Sequence, residues 1–263
     1  MQGTALAENS IVIEKLRKSY LHSEGEASHS ILDNVNLNLK RGEFFVLLGP
    51  SGCGKSTLLN IIAGFIKKTG GNLLVNNSEV YKPGPDRAVV FQHPDASLFP
   101  WLNVRENIEF GLRMRRVSPE ERKSVSYEYI NLVGLEGHEE KFPNELSGGM
   151  KQRVQIARVL ANDSDILLMD EPFGALDAQT RRTMQKELIR IWDRTGKTVI
   201  FVTHDIQEAI LLGQRIGIMS RAPQATIYKI YDVDIPYPKD ETSYEFNELY
   251  RKIQGHFDYG NGI

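Results

Sequence analysis

Two glycine turns in this 263-residue chain each run straight into a helix-forming stretch, GPSGCGKST at Gly49–Thr57 and LSGGMKQRVQIARVL from Leu146. The start of a helix offers unbonded N–H groups and the positive end of the helix dipole, so it holds anions and above all phosphate. The first turn has the spacing G-x-x-x-x-G-K-[ST], with an apolar strand-like run before it (FFVLL) and a helical pattern after it (STLLNIIAGF). Gly49, Pro50, Ser51, Gly52, Cys53 and Gly54 then form a loop whose backbone N–H groups nest phosphate oxygens. Lys55 is placed to reach the β- and γ-phosphates of a nucleotide, Ser56 to put a hydroxyl on Mg2+, and Thr57 to carry the loop into the helix. A chance glycine loop would not have both flanking elements. Cys53 occupies a variable position of the loop and reads as structural filler.

Carboxylates come next. ILLMDE, Ile166–Glu171, ends an apolar strand on two acids. Strand alternation is expected to turn Asp170 and Glu171 to different sides, so that they do different work. Asp170 would hold Mg2+ through its water shell, and Glu171 would orient or deprotonate an attacking water. Alone, such a pair is a solvated turn; beside a phosphate loop it is a candidate for hydrolysis. Gln92 follows the strand AVVF, and His204 follows TVIFVT. Residues at the carboxyl ends of parallel strands face the ligand crevice of an open α/β sheet. Tyr20, at the end of IVIEKLRKSY, either packs in the sheet or stacks on a nucleotide base. Ser147 either caps its helix or helps its turn hold an anion.

The elements that must position these groups alternate between strand and helix, hence an α/β fold. IVIEKLRKSY and ILDNVNLNLK alternate apolar and polar residues and predict an antiparallel edge sheet, joined by a polar loop ending at Ser30. NLLVNNSEV reads as a second hairpin, and AVVFQ, ILLMD and TVIFVTHD as buried strands. From about Leu98 to Asn144 the pattern is helical, with SPEE at Ser118 as a capping box. AQTRRTMQKELIRIWDRTG puts Met184, Leu188, Ile191 and Trp192 on one stripe ending at Gly196. A short helix, IQEAILLGQ, and two strands, RIGIMS and TIYKIYDVDI, follow, and Pro236 and Pro238 stop the sheet. YEFNELYRKI predicts a C-terminal helix packed on the core.

Composition narrows the function classes. The net charge of -2 argues against a nucleic-acid binder held by bulk charge. One cysteine cannot make an intrachain disulfide and fits a reducing compartment. No apolar run approaches the roughly 20 residues of a membrane span, and MQGTALAENS lacks the pattern of a signal peptide. A cytosolic protein is expected, reaching a membrane only through a partner.

Taken together the motifs resemble the nucleotide-binding subunit of ATP-binding cassette (ABC) transporters. GPSGCGKST is similar to the Walker A loop, Gln92 to the Q-loop, LSGGMKQ to the family signature and ILLMDE to Walker B. GALD (Gly174–Asp177) is similar to the D-loop, His204 to the switch histidine and Tyr20 to the aromatic that stacks on adenine. The resemblance runs in order from about Ile11 to Met219. It implies an α/β P-loop NTPase (RecA-like) core with an antiparallel β edge subdomain and an inserted α-helical subdomain. The ATPase domain would cover 11–240, with the insert roughly at 98–160 and a short tail at 241–263.

It also implies why one chain has two cradles. Ser147, Gly148 and Gly149 would close on ATP held by another copy, in a head-to-tail homodimer about a two-fold axis. Asp177 would couple the two sites, and Gln92 would join Ser56 and Asp170 around Mg2+. LFPWLNVRENI (Leu98–Ile108), MDEPFGALDAQTR (Met169–Arg181) and THDIQEAILLGQRIGIM (Thr203–Met219) look like the ATPase subunits of nitrate/sulfonate/taurine-type importers. That implies a bacterial importer at the cytoplasmic face of the inner membrane, with two membrane-spanning permease subunits, an extracytoplasmic substrate-binding protein and no nucleic acid. A soluble ABC-type ATPase of DNA repair or translation would carry coiled-coil insertions or two cassettes, and an exporter ATPase would not share the importer-like stretches. HPDAS after Gln92 is slightly longer than usual in the family, which bears on permease geometry and substrate class. The apolar Leu98–Phe99–Pro100–Trp101 patch is either core or a groove for a short permease helix.

Overall fold

A computed structural model of the protein describes residues 9–20 and 29–258. The polar stretch expected to link the first two strands lies mostly on residues 21–28, outside the described residues, as do the first eight and last five positions. The chain divides into two compact units, one formed by residues up to Gly84 and from Thr198 onward, the other by Pro85–Lys197.

In the first unit, β1 (Asn9–Tyr20) pairs antiparallel with β2 (His29–Lys40) and with β4 (Gly70–Val75), which turns back into β5 (Ser78–Glu79). The order β2-β1-β4-β5 is the antiparallel edge sheet that the alternation predicts. Val35, Leu37 and Leu39 are buried on one face. Asn76 and Asn77 both take the left-handed conformation that a tight hairpin demands and that asparagine tolerates.

Beside it, β3 (Phe44–Leu48) lies parallel to β8 (Thr198–Thr203) and to β9 (Arg215–Met219), and β10 (Ile227–Asp232) pairs antiparallel with β9. Every residue of β3 and β8 is buried, as expected of strands covered on both faces. After β3 comes α1 (Lys55–Ala63), ended by left-handed Gly64, and after β8 comes α6 (Ile206–Leu212).

In the second unit, β6 (Arg87–Val90) pairs parallel with β7 (Ile166–Asp170). The expected buried strand AVVFQ needs correction here. β6 ends its sheet, only Val90 is fully buried, and the strand stops before Phe91. A short apolar run does not by itself tell an edge strand from a central one. The helical stretch consists of α2 (Val104–Met114), α3 (Pro119–Leu132) and α4 (Gly148–Ala161). Ser118 caps α3 through the Glu121 N–H, but the reciprocal capping box belongs to α2, between Asn103 and Glu106. α5 (Ala178–Thr195) buries Met184, Leu188, Ile191 and Trp192 along the expected stripe and ends at left-handed Gly196.

The tail of the first unit returns to the core. After Pro238, the ammonium of Lys239 donates to the carbonyls of Ile210 (2.8 Å) and Gly213, and the Tyr237 hydroxyl donates to the carbonyl of Leu212 (2.5 Å). These are the carbonyls that a helix C-terminus leaves unpaired, so the tail caps α6. α7 (Tyr244–Asp258) then buries Phe246 and Ile253, as the C-terminal helical pattern predicts.

Burial pushes the Lys239 ammonium down to about 7, against about 10.4 in an unfolded chain. Between those values the unfolded chain keeps a proton that the folded chain has shed, so raising the pH favours folding. The urea midpoint of the wild-type protein is therefore expected to rise, relative to Lys239→Met, as the pH goes from about 7 toward about 10. Parallel pH profiles for the two proteins would refute this assignment.

Candidate active site

Each unit gathers its own candidate groups at the carboxyl ends of parallel strands. In the first unit Leu48 pairs with Thr203, so the glycine turn after β3 and His204 after β8 start side by side. In the second unit Val90 pairs with Met169, which brings the chain after β6 beside Asp170 and Glu171.

The first turn has the geometry of an anion cradle. Gly52 and Gly54 have φ of 78° and 96°, conformations that a side chain would strain. A Cβ on Gly54 would also come within 2.9 Å of Leu32. Gly54 is the N-cap of α1, so no side-chain oxygen caps that helix, and no acid occupies its first turn. By contrast α2, α3 and α6 all carry a first-turn glutamate against their dipole. Lys55 is buried, and its ammonium donates to the carbonyls of Gly49 and Pro50, both at 2.8 Å. The loop thus combines oriented backbone donors with a cation held at its inner wall, a donor set that fits a nucleotide's phosphates. Ser56 and Thr57 follow within the first turn of α1. Cys53 is buried, and burial raises its thiol pKa, so it stays protonated and inert at neutral pH. Tyr20 keeps its ring 41% exposed at the end of β1, with the Lys18 ammonium 4.4 Å from the ring centre, so it does not pack in the sheet core. His204 is exposed, and Asp205 beside it caps α6 through the Glu208 N–H.

In the second unit the Gln92 amide donates to a Glu171 carboxylate oxygen at 3.2 Å. Asp170 is buried at the end of β7. Glu171 has φ of 45°, so a left-handed turn, and not strand alternation, sets its direction. Strand alternation, expected from the sequence to separate the two acids, therefore does not carry through to Glu171. Such a conformation costs a residue with a Cβ roughly 1–2 kcal/mol, and strain of this kind gathers at functional sites. Asp170 is a hard oxygen ligand at a strand end, the donor type that Mg2+ takes alongside phosphate oxygens and water.

The second glycine turn opens α4. The Ser147 hydroxyl accepts the Met150 N–H at 3.3 Å, so Ser147 does cap the helix. Ser147 and Gly148 remain exposed, and α4, like α1, has no acid in its first turn. A Cβ on Gly149 would lie 3.3 Å from the Ala175 carbonyl, so this turn adjoins the 174–177 segment. There Asp177 caps α5 by accepting the N–H groups of Gln179 (3.1 Å) and Thr180 (3.0 Å), bonds that hold its carboxyl below the usual range. Leu98 is buried whereas Trp101 is 69% exposed, so the core reading fails for the tryptophan. Phe99 stacks obliquely between Trp101 and Phe110 at ring-centre distances of 5.6 and 4.3 Å.

Sequence reasoning missed the contacts that hold Gln92's own segment. Lys151, Gln155 and Arg158 recur at i, i+4, i+7 on α4, and all three bond to residues 91–97. Polar residues at helical spacing on an otherwise apolar face are the signal that could have found them.

With this geometry in hand, comparison with known proteins is direct. The family model described as ABC transporter matches residues 32–174. An ABC transporter ATP-binding protein of Methanocaldococcus jannaschii is 50% identical over 84% of this chain and 82% of its own length. The taurine import ATP-binding protein of Pelagibacter ubique is 47% identical over 85% of this chain and 83% of its own. Among solved structures, a dimeric post-hydrolysis ATP-binding cassette bound to ADP and Pi is similar with a TM-score of 0.75 at 36% identity, covering 85% of this chain and 98% of that one.

The left-handed turn at Glu171 carries a stability prediction. Glycine adopts that conformation freely, so Glu171→Gly is expected to melt no lower than Glu171→Gln, although it removes the whole side chain. Calorimetry on the two variants checks this, and a clearly lower midpoint for the glycine variant would contradict the strain.

Proposed function

Because this chain belongs to the ABC transporter family, as an ATP-binding subunit that hydrolyses ATP, we propose that it drives uptake of a small anionic solute through a membrane permease. The observation that carries the proposal is the second glycine turn, exposed at an acid-free helix N-terminus and far in sequence from the loop that holds Lys55. A chain that binds one nucleotide in its own first loop has no use for that second cradle unless another copy presents a phosphate to it.

In this reading Gly49–Thr57 cradle the phosphates, and the Lys55 ammonium exchanges the Gly49 and Pro50 carbonyls for phosphate oxygens. The exchange favours ATP, since a hydrogen bond between two charged groups is stronger than one to a neutral carbonyl. Tyr20 stacks on the adenine. Ser56, Gln92 and Asp170 are the groups that would hold Mg2+, which when bound would draw negative charge off the phosphoryl oxygens. Glu171 orients the attacking water and accepts its proton, and the Gln92 amide steadies the carboxylate that does so. His204, at the end of the strand beside the phosphate loop, senses the terminal phosphate. Ser147, Gly148 and Gly149 close on the ATP of a partner copy, and Asp177 joins the two sites. The terminal phosphate then clamps two copies head to tail, and its loss on hydrolysis releases them.

The exposed Trp101, braced by Phe99 and Phe110, supports a groove for a short helix of each of two permease subunits. Among the described residues no helix is long and apolar enough to cross a membrane, so the proposed place is peripheral, at the cytoplasmic face of the inner membrane. The likeness to a taurine import protein supports a sulfonate or similar small anion as cargo, delivered by an extracytoplasmic binding protein.

Lys55→Ala is expected to weaken ATP binding at least about tenfold, the loss of a charge-assisted contact. Glu171→Gln should retain ATP and lose about a hundredfold or more in turnover. In light scattering the ATP-loaded Glu171→Gln chain should double in mass, and tagged protein should copurify a multi-spanning permease from native membranes. A persistent monomer together with only soluble partners in the pull-down would end the importer reading.

A further inference from the structure

α4 has two functional ends. Its N-terminus is the second glycine turn, and its flank grips the segment that leads into and away from Gln92. Gln155 is completely buried on that flank. With its amide oxygen turned toward the Phe91 N–H, Gln155 accepts that N–H at 2.7 Å, donates to the Phe91 carbonyl at 3.0 Å, and accepts the Ser97 hydroxyl at 2.9 Å. Both backbone groups of the residue immediately before Gln92 are thereby paired by one side chain, in the manner of one more step of sheet ladder after β6 ends at Val90.

Two further contacts flank it. One turn before, the Lys151 ammonium meets Asp95 at 2.5 Å, on the 3-10 turn Pro94–Ala96. One turn after, the Arg158 guanidinium donates to the Ser97 carbonyl at 2.8 Å and lies over the Phe99 ring. Three successive turns of one helix therefore hold the 91–97 segment by an ion pair, a two-point backbone match and a carbonyl. The HPDAS stretch after Gln92 supplies two of the gripped residues, Asp95 and Ser97.

We propose that Gln155, with Lys151 and Arg158 to either side, is a positioning residue for hydrolysis: it fixes the backbone from which Gln92 reaches Glu171, and so ties the second glycine turn to the catalytic carboxylate through one rigid helix. Gln155 touches neither ATP nor the reacting atoms; it acts through Gln92. The ordering is specific because the amide has one donor and one acceptor side, and only one register of the 91–97 segment satisfies both. The proposal rests on the assignment of Glu171 and Gln92 to the hydrolytic site made above.

The test uses the full chain and the Gln155→Met variant, which keeps the buried volume and removes the hydrogen bonds. Its kcat should fall about tenfold to a hundredfold, the cost of a misplaced catalytic group, with KM for ATP within about twofold of wild type. In a Gln92→Ala background the same substitution should have no further effect, because the residue through which it acts is gone. A kcat within about twofold of wild type would overturn the proposal, as would a full multiplicative loss in the Gln92→Ala background, which would mark a merely structural role.

If Gln155→Met does not fold, the Lys151 contact carries the test instead. Asp95→Lys should lower kcat at unchanged KM, and Lys151→Asp added to it should restore kcat; no drop, or a drop without rescue, would overturn the proposal. Lys55→Ala separates the two levels of argument. Undiminished ATP binding there would overturn the site reading itself, whereas lost binding there with a normal Gln155→Met kcat would overturn only the role of Gln155.

Discussion

Parallel pairing aligns strand ends, and the pairs that meet within each unit, the Lys55 loop with His204 and Gln92 with Glu171, depend on that constraint. Within each unit, residues that follow paired parallel strands leave on the same side, so side chains far apart in sequence meet at those strand ends. Leu48 beside Thr203 puts the phosphate loop next to His204. Val90 beside Met169 puts Gln92 next to Glu171, close enough for a 3.2 Å hydrogen bond across 79 positions of sequence. The strands are stable for reasons unrelated to chemistry, since β3, β7 and β8 are buried throughout. Apolar burial of about 25 cal/mol per Å2 thereby holds the strand ends that the chemistry needs.

At the strand ends of each unit, local stability is surrendered in a consistent way. α1 has no side-chain cap and no first-turn acid, and Lys55 is a buried cation satisfied by two loop carbonyls. Glu171 holds a left-handed conformation. Each arrangement is less favourable than an ordinary capped helix or an extended turn. Elsewhere the same chain caps α2 and α3 with side chains. Asn103 and Glu106 form a reciprocal box, and Lys239 reaches back to close the end of α6. The contrast separates residues chosen for binding from residues chosen for folding.

That division also decides what was legible in the sequence. Motifs that are local in the chain read directly: the glycine turn before α1, the apolar strands, the stripe of Met184, Leu188, Ile191 and Trp192, and the alternation of β1 and β2 all appear where expected. Features set by distant contacts did not. AVVFQ looks central by composition, but whether a strand lies at an edge depends on neighbours that periodicity does not name. The direction of Glu171 depends on a turn rather than on alternation. Gln155 and Lys239 read as ordinary polar residues because their partners, Phe91 in one case and Ile210 in the other, lie on separate segments. The family signature was visible through Ser147 and the two glycines, whereas the flank of the same helix was not.

Energy transfer between two copies sets a limit that this flank can meet. A ligand shifts a conformational equilibrium only by its differential affinity for the two states, and couplings between sites are typically about 1–3 kcal/mol. A phosphate at the N-terminus of α4 can act on Glu171 of the same chain only if movement of the helix reaches Gln92 without being lost in a flexible loop. Three polar contacts on consecutive turns, one of them pairing both backbone groups of Phe91, keep the 91–97 segment moving with α4. The hydrogen bonds of buried Gln155, roughly 1 kcal/mol each and expensive to leave unmade, make slippage between helix and segment comparable in cost to the coupling to be carried, with the exposed Lys151–Asp95 pair adding little. Within the proposed cycle, the grip on Gln92's backbone is thus strong enough to let a phosphate bound by one copy report on the carboxylate of that copy's own site.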